Sequence, residues 1–362
     1  MKDSMIGRRG FLRGAVGLAT TAAAASLVGC GTGTSRSAQD ANSLTVRNSG
    51  GAFGDALQKA VYAPFAEETG LTVKVANLQG TQMLAQMQQG RPQFDLIDNS
   101  LSEFMNWAPE DVLEPLDYDR IASFKDARLP ENMVTELAVG KSYYVTVMAY
   151  RTDAFGNNAP STWADFWDAG AFPGSRSMGT PDADLPELEF ALLADGVPID
   201  QLYPLDIDRA FRAMDRIRPS IKTYWDTGNL PGVLLSRQEV GISTVWHGRL
   251  HSLIEGGMPL AYQLAGGRRQ AQAYAIPKGA ANADAAYKLI DYSLRPDVQA
   301  NLAKIYPANP AVPAAYDQLT AEERKVLPGA PEYFGNGFDV DIDWWQQNET
   351  AVNERWREWS RA

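Results

Sequence analysis

The sequence predicts an α/β fold built from two doubly wound units. Three observations carry that prediction. After Leu44, short runs rich in β-branched and aromatic residues alternate with amphipathic helical patterns. From Leu44 the order strand, helix, strand, helix, strand is completed within about 55 residues, as in a doubly wound sheet whose ligand sites lie at the carboxyl ends of strands. A second unit of the same kind runs from Ser142 to Val245.

The chain opens with a segment that is an address rather than a fold. Arg8-Arg9-Gly10-Phe11-Leu12 is a twin-arginine export motif, and an uncharged run from Gly14 to Gly29 follows it. That run is too short and alanine-rich to make a good membrane-spanning helix. Leu27-Val28-Gly29-Cys30 resembles the lipobox of bacterial lipoproteins, in which the thiol is lipidated and becomes the new N-terminus. The resemblance implies a signal over 1–29, lipidation at Cys30 and an anchor outside the cytoplasmic membrane. An ordinary cleaved signal with a chance cysteine is the alternative. Residues 30–43 are small and polar without apolar periodicity, which predicts a disordered tether.

Charge and cysteine usage narrow the classes. The leader carries Lys2, Arg8, Arg9 and Arg13 against Asp3, so a chain of net charge −11 leaves a mature part that is three units more acidic. That balance argues against nucleic acid and against a polybasic membrane patch, both of which need clustered Lys and Arg. Cys30 is the only cysteine, so no disulfide framework exists and stability rests on burial, with length enough for two cores.

The elements follow in order. Leu44–Arg47 reads as a strand, Ala56–Thr69 as a helix ended by Gly70, and Leu71–Val75 as a second strand. Thr81–Gln89 reads as a helix stopped by Gly90, and Phe94–Ile97 as a third strand. In the second unit, Ser142–Tyr150 is β-rich, Trp163–Trp167 starts a helix, and Leu188–Leu193 lies in another. Ile207–Arg218 has apolar residues at helical spacing, Val240–Val245 reads as a buried strand, and Ala273–Ile276 as a return strand. The helix Ala283–Leu294 stops before Pro296, and Asp343–Trp359 is an amphipathic helix whose tryptophans have the spacing of a packed face.

Five segments in order then carry a family likeness. They are Phe65-Ala66-Glu67-Glu68-Thr69-Gly70-Leu71-Thr72-Val73, Ser161-Thr162-Trp163-Ala164-Asp165-Phe166-Trp167, Tyr274-Ala275-Ile276-Pro277-Lys278-Gly279-Ala280, the run 286–297 (AYKLIDYSLRPD), and Tyr306-Pro307-Ala308-Asn309-Pro310-Ala311-Val312. Residues 44–362 resemble an extracellular solute-binding protein of the spermidine/putrescine-receptor kind, the capture subunit of an ATP-driven importer. The resemblance implies the two-lobe periplasmic-binding-protein fold, closing by a hinge over a cleft. It implies lobe I over 44–147 with 274–315, lobe II over 148–273, and a C-terminal helical segment, 316–362, packed on the lobes. Crossings are expected near Tyr144–Tyr150 and Leu264–Tyr274. The implied partners are a small solute, permease subunits with their ATPase, and the membrane through lipid; a monomer without cofactor is expected.

Candidate ligand residues sit at predicted strand ends. Ser49-Gly50-Gly51-Ala52-Phe53-Gly54 joins the first strand to the first helix, where Gly51 lets backbone approach a ligand and Phe53 can stack. The G-x-G-x-x-G spacing fails at Ser49, so this is no dinucleotide fingerprint. Asn99 and Ser100 follow the third strand and suit a polar ligand or, equally, a helix cap. Trp246 ends the Val240–Val245 strand, where the resembled family places a cleft-wall aromatic; Trp225 is either a second wall or a core tryptophan. The resembled polyamine pattern then has an aspartate, whereas this chain has Gly248 and Arg249, and Gln270 and Gln272 where an aromatic and an acid are usual. Arg249 repels a diamine and can clamp a carboxylate, unless it pairs with an acid such as Glu255. Asp182, Asp184, Glu187 and Glu189 are the acids left to meet an amine, with Glu187 preferred. The ligand set is therefore Gly51, Phe53, Asn99, Ser100, Glu187, Trp225, Trp246, Arg249 and Gln272, for a polyamine or an amino-carboxylate.

Other constellations fail. His247 and His251 at i, i+4 lack a third zinc ligand, and Asp339-x-Asp341-x-Asp343 lacks the glycine and glutamate of a calcium loop. Tyr143-Tyr144 is similar to the tyrosine pairs of ferric-ion receptors, but adjacent strand residues face opposite ways. An exported lyase or hydrolase using Glu187 with Arg249 is the rival reading, although no nucleophile–base pair has a recognisable spacing.

Overall fold

A computed structural model describes residues 42–361 except 49 and 79. The leader, Cys30 and nearly all of the tether lie outside the described residues, as does Ser49. Strand β1 (Ser43–Arg47) pairs in parallel with β2 (Thr72–Ala76) and β3 (Leu96–Ser100). On the other side, β5 (Arg176–Gly179) pairs in parallel with β6 (Ile221–Trp225) and β7 (Ile242–Trp246). Between these wings run two long antiparallel strands, β4 (Val139–Arg151) and β8 (Leu260–Ala275), which give the order β2-β1-β3-β8-β4-β7-β5-β6. Each parallel wing with its helices makes one lobe of the expected α/β fold. The two central strands serve both.

The segments expected to cross lie within β4 and β8. The β4–β8 register breaks between Thr146 and Met148, opposite Arg268 and Gln263. The intervening chain turns at Gly266, φ +70°, whose carbonyl accepts the Trp163 indole N–H at 2.9 Å. A Cβ there would meet that indole nitrogen at 2.6 Å, so the turn requires glycine. This glycine-containing stretch hides the first half of β8 from a strand reading of the sequence. Strands β5 and β6 leave no clear strand signal in the sequence, because Arg-Ser-Met-Gly and Ile-Lys-Thr-Tyr-Trp carry little alternation.

The first helix starts earlier than Ala56. Gly50 and Gly51 both have φ +62°, and α1 (Gly51–Leu57) begins there, passing through a π turn (Gln58–Tyr62) into α2 (Ala63–Thr69). Pro64 lacks an N–H and would clash with the carbonyl four residues back; the wider turn, in which Ala63 N–H reaches Gln58, accommodates it. Gly70, φ +72°, ends α2 in the left-handed conformation, as expected. The helices Ala283–Ser293 and Pro296–Ile305 bury Leu289, Ile290, Val298 and Leu302 in the same core as Leu44 and Val46 of β1. Each large apolar side chain buried this way stabilises by about 1.5–3 kcal/mol.

The lobe II core gathers the helices Trp163–Trp167, Leu188–Ala194 and Ile207–Ile217. Thr162 and Asp165 form a capping box on the first of these. The C-terminal segment is one long helix only over Ile342–Arg361; before it lie the one-turn helix Ala321–Arg324, capped by Thr320 and Glu323, short 3-10 turns and the two-residue strand Phe338–Asp339. Trp345, Val352, Trp356 and Trp359 of that helix are buried in the lobe II core. No helix among the described residues is long and apolar enough to cross a membrane.

Candidate functional site

The carboxyl ends of β5, β6 and β7 converge, because parallel strands of one wing finish on one edge. Trp246 closes β7. Its ring meets Tyr144 edge-on at 5.7 Å and Trp225 at 5.6 Å. Trp225, closing β6, is 1% exposed and donates its indole N–H to Thr244 at 3.0 Å, so it is a buried wall behind Trp246. A Cβ on Gly228 would lie 2.4 Å from the Trp246 ring, so the loop after β6 can pack there only as glycine.

Asp184 is the hub of this edge. It accepts from Gln270 at 2.8 Å, Tyr144 at 3.3 Å, and Trp246 and Arg268 at 3.4 Å each. Arg268 is fully buried and also pairs with Glu189 at 3.1 Å. Glu189 in turn accepts from Tyr203 and Trp345, which makes it structural. Glu187 is different: it is 2% exposed, Thr244 and the Gly179 backbone hydrogen-bond to its carboxylate, and its Oε2 has no hydrogen-bond partner among the described residues. Burial pushes its carboxyl up to about 7, with Arg268 opposing the rise. Three buried acids thus surround one arginine. The pocket carries an excess of negative charge that an added cation would relieve.

Arg249 stands in the first turn of the helix Gly248–Glu255, just beyond β7. Glu255 pairs with His251 at 3.4 Å instead, and Arg249 makes no ion pair or hydrogen bond among the described residues. Its Nη1 lies 2.8 Å from where a Cβ on Gly51 would be, so the Gly50-Gly51 turn of lobe I meets a free guanidinium of lobe II. Gly51→Ala is expected to strain the turn at φ +62° and to push Arg249 aside. Solute affinity in a fluorescence titration is expected to drop about tenfold or more, while an Ala substitution at exposed Gly335 leaves it unchanged.

On the lobe I edge, Ser100 caps the helix Leu101–Trp107 through Glu103 N–H at 3.2 Å, and Asn99 accepts from Ser100 N–H at 3.0 Å. Gln272, opposite Ser100 in the β3–β8 register, donates to Asp98. Phe53 is 9% exposed and packs on Tyr306 at 5.4 Å, so little of its ring is open. Tyr306 reaches Gly248, where a Cβ would meet its hydroxyl at 2.6 Å. Sequence reasoning missed Tyr306 and ranked Asp184 below Glu187. A usable signal was the strand alternation that puts Tyr144 and Gln270 on one face.

Tyr143, by contrast, faces Phe334 on the other side of β4, so the two adjacent tyrosines do not converge. His247 is buried against the Val145 carbonyl and burial lowers it to about 4, which leaves it neutral at physiological pH.

A two-lobe α/β frame with convergent aromatic and charged groups at its strand ends is the architecture of a solute receptor. Residues 60–328 match the model of the bacterial extracellular solute-binding protein family, and the chain belongs to that family. It is 29% identical over 325 residues to the gamma-aminobutyric acid-binding protein of Pseudomonas aeruginosa, covering 88% of this chain and 91% of that one. It is 24% identical over 279 residues to the spermidine/putrescine-binding periplasmic protein of Salmonella typhimurium, covering 74% and 78%. Among solved structures, the Atu4243-GABA receptor superposes with a TM-score of 0.78 at 31% identity, covering 88% of this chain and 98% of that one.

Proposed function

We propose that this protein captures a small solute bearing both an ammonium and a carboxylate, of the 4-aminobutyrate kind, for an ATP-driven importer. The observation that carries the reading is a carboxyl with one unpartnered oxygen and a guanidinium without an acid, each following one of two neighbouring strands. Among the described residues, Glu187, after β5, has a buried oxygen without a hydrogen-bond partner, and Arg249, after β7, pairs with no acid. An amino-carboxylate satisfies both, its methylenes lying against Trp246. The names of two relatives, one curated and one solved, point to the same ligand class. A polyamine is the second reading, supported by the relative named for it; against it stand Gly248 in place of an aspartate and the free Arg249 cation.

In this reading lobe I comprises 44–147 with 274–315, lobe II comprises 148–273, and 316–362 packs on them. Hinge closure brings Gly51 and the lobe I edge, with Asn99, Ser100 and Gln272, over the solute. Phe53 and Trp225 shape the walls. The closed monomer then docks on permease subunits. Calorimetric titration of the mature protein with 4-aminobutyrate and with 1,4-diaminobutane tests the assignment, with the solute recovered afterwards for mass analysis. Tight, intact recovery of 4-aminobutyrate supports it. Preference for the diamine overturns the ligand, and chemical conversion supports the exported lyase or hydrolase.

The address belongs to the same proposal: twin-arginine export, then lipidation of Cys30 as the membrane anchor. Cys30→Ser is expected to move the protein from the membrane fraction to the soluble one on fractionation, with solute affinity unchanged. Retention in the membrane fraction would place the anchor elsewhere.

A further inference from the structure

The capture chemistry above leaves one buried charged cluster unused. Lys141, near the start of β4, has a side chain 3% exposed, and its ammonium lies 2.7 Å from fully buried Asp98. The other Asp98 oxygen takes the Gln272 amide. The Lys141 ammonium also stands over two aromatic rings, 4.9 Å from the centroid of Phe53 and 4.5 Å from that of Tyr274. Burial alone would favour neutral lysine, but Asp98 and Tyr274 outweigh it and raise its pKa. Phe53 stands in the first turn of α1, two residues from the Gly51 turn that faces Arg249, with only 9% of its surface exposed. Its ring is already occupied by an internal cation.

We infer that Lys141 is a positioning residue that sets the polarity of the bound solute, by filling the cation seat of Phe53 and denying that wall to a ligand ammonium. An aromatic ring attracts a cation through its quadrupole, and a second ammonium brought to the same ring meets the repulsion of the first. Asp98 cancels the field of Lys141 at a distance, so the effect is confined to groups touching Phe53. The ammonium is left with the acids beyond β5, and the carboxylate with Arg249. The inference takes its ligand from the amino-carboxylate reading, whereas the hold of Lys141 on Phe53 does not depend on it.

The test separates the two. The double variant Lys141→Met with Asp98→Asn removes both charges and leaves no orphaned carboxylate; Lys141→Arg keeps the cation. Protein carrying 4-fluorophenylalanine at position 53 is examined by fluorine NMR without solute, then titrated with 4-aminobutyrate and 1,4-diaminobutane. In the double variant the fluorine resonance is expected to shift, and the preference for 4-aminobutyrate to fall about tenfold through a gain in diamine affinity. Lys141→Arg is expected to retain both properties. A resonance that superimposes on wild type, or equal loss for both solutes, overturns the role. If the double variant does not fold, Phe53→Leu decides: unchanged preference supports the inference, and a tenfold loss of amine affinity shows that the ligand uses that ring. If wild type binds neither solute, the amino-carboxylate reading fails and the polarity assignment with it, while the fluorine shift still decides whether Lys141 holds Phe53.

Discussion

Replacing Arg249 with alanine is expected to weaken 4-aminobutyrate binding by about 100-fold while leaving the thermal midpoint unchanged. A charge-assisted hydrogen bond is worth roughly 1.5–3 kcal/mol, and a guanidinium can offer a carboxylate two in parallel. The cost to folding is small because, among the described residues, Arg249 has no ion-pair partner to orphan. Arg249→Lys keeps the charge but loses the fork, so it should recover part of the affinity only. Diamine binding is expected to improve in Arg249→Ala, since a repulsion disappears. If 4-aminobutyrate binds the alanine variant as tightly as wild type, the carboxylate clamp is wrong. Calorimetry on the three proteins decides.

The second large effect is a pH dependence centred on Glu187. Its carboxyl in the folded protein sits at about 7, raised by burial from an ordinary value of 4.5. The folded state therefore holds this proton more tightly than the unfolded state does. Stability is greatest below the unfolded value, falls as pH rises from there to about 7, and levels off above it. The decrement is on the order of 3 kcal/mol. A solute ammonium beside the carboxylate favours its ionised form, so binding near neutral pH releases a proton and affinity rises between about pH 6 and 8. Glu187→Gln should flatten both profiles, stabilise the free protein above pH 8 and lose amine affinity by roughly tenfold or more. The checks are thermal midpoints across pH and calorimetry in buffers of different ionisation enthalpy. A pH profile of affinity unchanged in Glu187→Gln would place the ammonium elsewhere, with Asp184 the next acid to replace.

Much of the site was legible because part of its logic is local. Parallel strands finish on one edge, so a tryptophan closing a buried strand and an arginine three residues on have their places set by the sequence pattern. Ser100 carried two readings, and its cap on Glu103 N–H shows why: a short hydroxyl before a helix satisfies the backbone first. Nothing in the run 182–189 sets Glu187 apart from Glu189, which is spent on Arg268, Tyr203 and Trp345. Asp184 looked ordinary for the same reason. Its donors Tyr144, Trp246, Arg268 and Gln270 lie 40 to 86 residues away.

What the sequence determined by itself is the alternation of strands and helices, several of their ends and the first parallel wing, with only β7 of the second. Gly70, Gly90 and the Thr162–Asp165 capping box act over one turn of chain, and apolar periodicity is a property of neighbours. The tertiary structure alone decided how the wings join and which charges remain free. The long β4–β8 pair depends on register between residues more than a hundred positions apart, interrupted where Gly266 turns under Trp163. Whether Arg249 is spent on Glu255 or left open, and whether Phe53 offers its ring to a solute or to Lys141, depends on which distant side chains share a volume. Electrostatic partnership is set by distance in space and by burial, and neither is encoded in spacing along the chain.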